Sequence, residues 1–409
     1  MADKRKLYKK QILKQLYFFK SVSCADLSFS INKSLVLTTR ILNELIEEKK
    51  VFENGFAPSS GGRRAVMYSL QPDVMYIVSV AMDQLTTRIV IVDMENQKVK
   101  PARSFELQLR DNPEALPMLV ERIIEVINES GVAREKIAGI GIGMPGFIDV
   151  GEGINYSFLD TDGVSITAYI TSKTGLPVYI DNDSSLIALA ELRFGAAKKK
   201  KNSIVVNINW GIGIGMVLNS ELFRGHNGFA GEFSHIPLFT NNRLCSCGKH
   251  GCLETEASLL VVAEKAQKAL EEGRLSILKP IADNNYEKAS NEIIRAAGKG
   301  DRLAIELLSD AGYHIGRGLA ILIHILNPEL IVLSGRGSMA GKIWQAPIQQ
   351  ALNEHCIPRL ALNTLIEVSE LGQEAEQIGA AALVMENFDT DSMPQQGNNK
   401  QRSTGAISA

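Results

Sequence analysis

Long apolar runs, abundant cysteine and an excess of either charge are all missing from this 409-residue chain. No apolar stretch reaches the roughly 20 residues that a membrane-spanning helix needs. The first residues, Met-Ala-Asp-Lys-Arg-Lys, lead into an amphipathic pattern and not into the apolar core of a secretory signal. Only five cysteines occur, which argues against a disulfide scaffold and for a reducing compartment. A cytoplasmic protein without a membrane partner is expected. Lys+Arg (44) and Asp+Glu (46) nearly cancel, leaving a net charge of −2. The length predicts two or three domains with material for large cores.

The near-neutral total hides an asymmetry. Residues 1–72 carry 13 Lys+Arg against 6 Asp+Glu, or +7, so the remainder carries −9. A small basic head on an acidic body points to nucleic acid at one end and a different task at the other. In the head, a helical pattern runs over residues 7–19 with Ile12, Leu16 and Phe19 on one face. Ser23 caps a short second helix over residues 24–29. Ser34 opens a third, to about Glu48, with an apolar stripe of Leu37, Ile41 and Leu45 widened by Leu42 and Ile46. Extended pieces at residues 51–56 and 65–70 flank Gly61-Gly62-Arg63-Arg64. Three compact helices and a hairpin predict a winged helix-turn-helix. Its third helix offers Ser34, Thr38, Thr39 and Arg40 to operator DNA, and the wing adds Arg63 and Arg64. The blander reading of the same pattern is a docking or dimerisation module.

Three of the five cysteines, Cys245, Cys247 and Cys252, fall within eight residues, and His235 lies ten positions upstream of the first. Thiolates and an imidazole at this spacing suit a closed tetrahedral Zn²⁺ site. Glu232 and Glu254 stand beside the proposed ligands, so the knot resembles the wall of a polar-ligand pocket more than a free-standing finger.

From residue 73 the pattern alternates between strands and helices. Hairpins are expected at residues 75–93 and 204–218, helices at 113–130, 184–194, 259–272 and 303–326, and strands at 137–142, 178–180 and 330–333. Glycine-rich turns after strands indicate an α/β fold with ligands at the carboxyl ends of strands. Two halves that each open with a hairpin imply a duplicated, two-lobed body over residues 73–387 with a cleft between the lobes. Residues 388–409 are poor in apolar side chains and are expected to form a disordered tail.

The run Gly141-Ile-Gly-Met-Pro-Gly-Phe-Ile-Asp149 is similar to one found in the ROK family of bacterial repressors and sugar kinases. So are Asn182-Asp183, Phe229-Ala-Gly-Glu232 with His235, the cysteine cluster, and Asn327-Pro-Glu329. The basic head resembles that of the family's repressors. The resemblance implies an actin-like ATPase fold in two lobes, and a homodimer or homotetramer. It also implies a sugar held by Asn182 and Asp183 from one wall and by Glu232, His235 and Glu254 from the zinc-braced wall. Asp183 stands where the family's kinases place their general base, and it can also cap the helix that follows it.

The nucleotide side departs from the kinase pattern. Family kinases carry a glycine-rich Asp-x-Gly-Gly-Thr turn in the first hairpin, where this chain has Asp83-Gln-Leu-Thr-Thr87. The second glycine run gains Trp210, and Gly335-Arg336-Gly337 gains a bulky Arg. Side chains at these places obstruct the close backbone approach that phosphates require. ATP and Mg²⁺ are therefore not expected, and the catalytic role of Asp183 applies only to a kinase. The expected function is a sugar-responsive transcriptional repressor of carbohydrate genes. Its alternatives are an active sugar kinase carrying a DNA-binding head and a regulator whose body binds a protein.

Overall fold

A computed structural model describes residues 2–58, 64–159, 161, 163–280 and 286–390. Arg63 and residues 391–409, most of the expected tail, lie outside the described residues. Residues 388–390 do not begin a tail: they form a turn in which Asp389 receives Lys14 at 2.9 Å and Lys10 lies over Phe388.

The head comprises α1 (Ala2–Phe19), β1 (Val22–Ser23), α2 (Cys24–Ser30), α3 (Leu35–Glu47), β2 (Val51–Phe56) and β3 (Val66–Leu70). The strands form one antiparallel sheet in the order β1-β3-β2. Ser23 and Ser34 cap α2 and α3 by accepting from Asp26 N and Leu37 N. Ion pairs of Arg5 with Glu44 and Lys9 with Glu48 tie α1 to α3. One expectation about α1 is corrected. Phe19 is 54% exposed, whereas Ile12, Leu13, Leu16, Tyr17 and Phe18 are all buried. The helix packs against α3 on one side and the body on another, so its inner surface is wider than one stripe.

The first lobe contains β4 (Tyr76–Met82), β5 (Thr86–Val92), β6 (Arg103–Glu106), α4 (Ala115–Ser130), β7 (Ile137–Met144), β8 (Ile148–Asp149), β9 (Ile154–Asn155), α5 (Ile166–Thr174), β10 (Val178–Asn182) and α6 (Asp183–Arg193). The second contains β11 (Ser203–Ile208), β12 (Ile212–Leu218), β13 (Glu221–Phe223), α7 (Glu254–Ala257), α8 (Leu259–Glu271), α9 (Tyr286–Gly298), α10 (Arg302–Leu326), β14 (Leu330–Ser334), α11 (Lys342–His355), α12 (Pro358–Ala361) and β15 (Leu365–Val368). The closing helix α13 (Ala375–Glu386) returns to pack on β4, β7 and α6.

The two sheets repeat one plan. In order they read β10-β7-β4-β5-β6 and β13-β12-β11-β14-β15. In each, an antiparallel three-stranded meander is followed by two strands parallel to its first member. The duplication inferred from the paired hairpins is present. Near-continuous apolar β7 and β11 are buried on both faces, as central strands between helical layers must be. Among the described residues no helix is long and apolar enough to cross a membrane.

Candidate functional site

The site lies where β7 and β10 end, facing the turn between β11 and β12. A cleft of about 460 Å³ opens there, lined by Asn182, Asp183, Glu232, His235 and Glu254 among others. All five residues expected to bind sugar are thus brought to one cavity, and they arrive from three separate parts of the chain.

Asn182 ends β10 and caps α6, its side-chain oxygen accepting from Ser184 N (2.9 Å) and Ser185 N (3.3 Å). Its amide nitrogen donates to Gly146 O at 3.2 Å, joining it to the Pro145-Gly146 turn. The cap is therefore Asn182 and not Asp183, which is the first helical residue. The Asp183 carboxylate accepts from Ser184 N at 2.7 Å and Asn207 Nδ2 at 3.0 Å. Burial pushes its pKa up to about 6, against these hydrogen bonds and with added repulsion from Asp83. Behind it, buried Asp181 is held by Arg224 at 2.7 Å.

On the opposite wall, Glu232 precedes the helical turn Phe233–His235 and Glu254 opens α7. Glu254 faces Gly211 so closely that a Cβ there would stand 3.4 Å from its carboxylate. Burial raises the Glu232 pKa, partly countered by His235. A carboxylate oxygen of Glu232 lies 3.6 Å from His235 Nε2.

The other imidazole nitrogen, Nδ1, is 3.5 Å from Cys245 Sγ, and Cys247 Sγ is 3.6 Å from Cys252 Sγ. All four ligand atoms lie within 4.8 Å of one another. Tetrahedral zinc bonds of about 2.3 Å to sulfur and 2.0–2.1 Å to nitrogen imply edges of about 3.5–3.8 Å, so the donor set fits such an ion. Gly248 and Gly251 adopt positive φ of 81° and 77°, and a side chain at Gly251 would overlap Phe239 O. Burial and the neighbouring sulfurs push Cys252 up to about 12, a cost that a bound dication would reverse. These residues form a His/Cys cluster whose donor atoms could hold a metal ion. Glu232 at the far side of the His235 ring is the outer partner that such ligands commonly have.

The turns that depart from the kinase pattern line the same cleft, with Asp83, Gln84 and Trp210 on its wall. Asp83 turns its carboxylate onto its own loop, accepting from Leu85 N, Thr86 N and Thr86 Oγ1. It also receives Arg336 Nη2 at 2.6 Å, an ion pair between two buried side chains that spans the lobes. The Arg336 guanidinium lies 5.6 Å from the Trp210 ring centroid. Nearby, Glu376 is pushed up to about 8 by burial despite Arg88 at 3.6 Å. The glycines of the second run make close contact with α6. A Cβ on Gly213 would overlap Ser184 Oγ, and one on Gly215 would stand 2.6 Å from Ser184 O. These glycines seat α6 against β12.

In the head, the expected DNA-facing residues separate. Arg40 is well exposed, as is Thr39, although the Thr39 hydroxyl bonds Leu35 O. Ser34 is exposed with its hydroxyl committed to the cap. Thr38 is the correction: it is fully buried and bonded to Ser34 O, because it shares the inward face with Ile41, Leu42 and Leu45. Arg64 donates to Ala57 O and stacks on Phe56 at the wing. Val36 (81% exposed), Leu35 and Asn43 also lie on the outward face of α3, as the complement of the helix's apolar stripe. The cleft also has an aromatic rim that residue patterns alone did not mark: Phe147 and Tyr156 both pack edge-on against Phe229.

The ROK family model matches residues 78–387. The xylose repressor of Bacillus subtilis (strain 168) is 30% identical over 392 residues, covering 94% of this chain and 96% of its own. A crystal structure of a ROK family transcriptional regulator, a homolog of the E. coli Mlc protein, superposes with a TM-score of 0.75 at 24% identity, covering 95% of this chain and 97% of its own. A ROK family glucokinase from Streptomyces griseus, in complex with glucose and AMPPNP, matches with a TM-score of 0.64 at 23% identity. That match takes in 98% of the glucokinase but 75% of this chain.

Proposed function

This chain belongs to the ROK family, and from that premise we propose that it is a sugar-responsive transcriptional repressor of carbohydrate uptake or catabolism genes. The head, residues 1–72, binds operator DNA, and the body, residues 73–387, binds a sugar or sugar derivative in the inter-lobe cleft. The observation that carries this reading is a contrast within one cleft. The five polar sugar-wall residues converge, while the Asp83–Arg336 ion pair and Trp210 stand at the turns that depart from the kinase pattern.

The roles follow from donor chemistry. Carboxylates of Asp183, Glu232 and Glu254 accept from sugar hydroxyls, and opposed acids fix the orientation of a ring. The Asn182 amide offers a further polar contact from the cap of α6. Zn²⁺ held by His235, Cys245, Cys247 and Cys252 would brace the loop between Glu232 and Glu254, keeping both carboxylates on one wall. Ser34, Thr39 and Arg40 of α3, with Arg63 and Arg64 of the wing, are the proposed DNA contacts, and Val36, Leu35 and Asn43 join them. As a homodimer or homotetramer the protein presents two reading helices to a palindromic operator, in the cytoplasm where that DNA lies.

A gel shift with duplex DNA from upstream of the chain's own gene tests this directly. It is repeated with D-xylose, D-glucose, N-acetylglucosamine and their phosphate esters. Retarded DNA whose affinity changes with one sugar is expected; a shift that no sugar alters, or no shift, overturns the reading. One observation favours the kinase alternative, namely a half-buried Asp183 with a pKa near 6 at the sugar wall. Turnover of Mg-ATP dependent on a sugar and abolished by Asp183→Asn would establish it.

A further inference from the structure

We propose that α6 is the mechanical link between the sugar pocket and the DNA-binding head, with Arg193 and Phe194 as its output end. The inference rests on the repressor reading above and names the regulation of that same site.

The input end is the pocket itself. Asn182 and Asp183 are the cap and first residue of α6, and their side-chain oxygens accept from the first free backbone N–H groups of the helix. A sugar hydroxyl that draws on those oxygens therefore acts on the end of α6 and not on a loop.

The helix is built to pass a displacement on. Its 11 residues span about 16 Å, and every residue from Leu186 to Leu192 is buried. It is clamped by close backbone contact on two sides, Gly213 and Gly215 of β12 on one and Gly379 of α13 on the other. A Cβ at Gly379 would overlap Leu186 O. A helix seated this way moves as a unit, since bending would have to displace strand and helix backbones together.

The output end touches the head. Phe194 packs edge-on against Tyr17 at 5.6 Å and lies 6.0 Å from Phe18. Arg193 stacks over Phe18 at 4.9 Å while its Nε donates to Glu386 at 2.6 Å. Lys20 covers the outer face of Phe194 at 5.4 Å. Tyr17 and Phe18 belong to α1, which is ion-paired to the DNA-facing α3 through Arg5 and Lys9. Leu186 and Leu189 of α6 share one continuous core with Ile12, Leu16, Ile41 and Leu45 of the head. A shift of α6 thus has a direct steric route to α3.

Intermediacy alone does not demonstrate coupling, so the test is a linkage measurement. DNA affinity is measured with and without the panel sugar that shifts the wild type, using the same upstream duplex, and sugar affinity is measured with and without DNA. For wild type the two ratios must agree, and a factor of about 5–150 is typical of such coupling. Arg193→Gln, at a part-exposed position, and Phe194→Leu, which retains bulk, should each bring both ratios towards one. Sugar affinity without DNA, and DNA affinity without sugar, should stay within about threefold of wild type. Arg193→Lys should restore much of the coupling. An unchanged ratio in both variants overturns the link and leaves the repressor reading standing. Loss of DNA binding with intact sugar binding in both also overturns it, since the junction would then merely hold the head in place. If no sugar alters DNA binding by the wild type, the repressor reading fails and the link falls with it.

Discussion

Asp83 and Arg336 form a buried ion pair that joins the two lobes beside the cleft. Asp83 folds its carboxylate onto its own loop and accepts a guanidinium from the other lobe. Breaking a buried pair by removing one charge is far more costly than the pair's net worth, because the remaining charge is stranded. Asp83→Asn should therefore destabilise the folded chain by about 3–5 kcal/mol, read as a fall in the urea midpoint. Asp183 makes a prediction of the opposite kind. Its pKa is higher folded (about 6) than unfolded, so its contribution to stability is complete below about pH 4 and lost as the pH rises through about 6. Sugar binding needs the ionised acceptor and runs the other way. The ionised fraction grows about tenfold from pH 5 to pH 7, so sugar affinity should rise by about that factor, and Asp183→Asn should flatten the profile. Calorimetric titration across that range decides it. The residue types of this site were readable in advance because carboxylates beside a Cys/His cluster are rare combinations. The inward turn of Thr38 was not: a threonine among apolar neighbours looks the same in sequence whichever face it takes, and its hydroxyl can bond the preceding turn.

At the scale of elements, the second glycine run carries the clearest lesson. Glycines spaced by one residue suit a phosphate cradle and a strand that seats a helix equally well, because both need close backbone approach. Only the packing of α6 on β12 separates them. Gly215→Ala should accordingly weaken folding by about 1–3 kcal/mol, with α6 pushed off the strand, and it should do so whether or not sugar is present. Helices at residues 184–194, 259–272 and 303–326 were legible from their period, and their observed bounds agree to within a residue or two. The short β8–β9 ribbon was not, since two-residue strands hold no period to read. The loop between Glu232 and Glu254 was legible in its ligands and not in its fold, because its regular backbone pairing is limited to two isolated bridges. With the proposed zinc bound, such a segment would depend on its metal. Chelation, or Cys247→Ser, should lower sugar affinity by at least tenfold while leaving sugar-free DNA binding near wild type. Unchanged sugar affinity in protein verified to be free of zinc would remove the knot from the binding wall.

For the molecule as a whole, composition separates a basic head from an acidic body, and that contrast suggests two units with different tasks. The packing shows a closer union. Tyr17 donates to Asn96 at 2.6 Å, Lys14 to Glu386 O at 2.6 Å and, just after α1, Lys20 to Met94 O at 3.1 Å, so this helix is fastened to the body. The apolar side chains beneath these contacts belong to one core, in which Ile77 and Val90 of the first sheet meet residues of α1 and α13. None of this is visible in charge or period, because an interface between two folded units is made of the same residues as either interior. Units with separate cores unfold separately, whereas units that share one gain stability only together. Heating or urea should therefore unfold head and first lobe in one transition, followed equally by helical circular dichroism and by the environment of Tyr17. Phe18→Ala should lower that shared midpoint, consistent with a loss of about 3–5 kcal/mol for a buried aromatic. A head that melts well before the body would show that the common core contributes little. It would also remove the proposed steric route from Asp183 through α6 to α3.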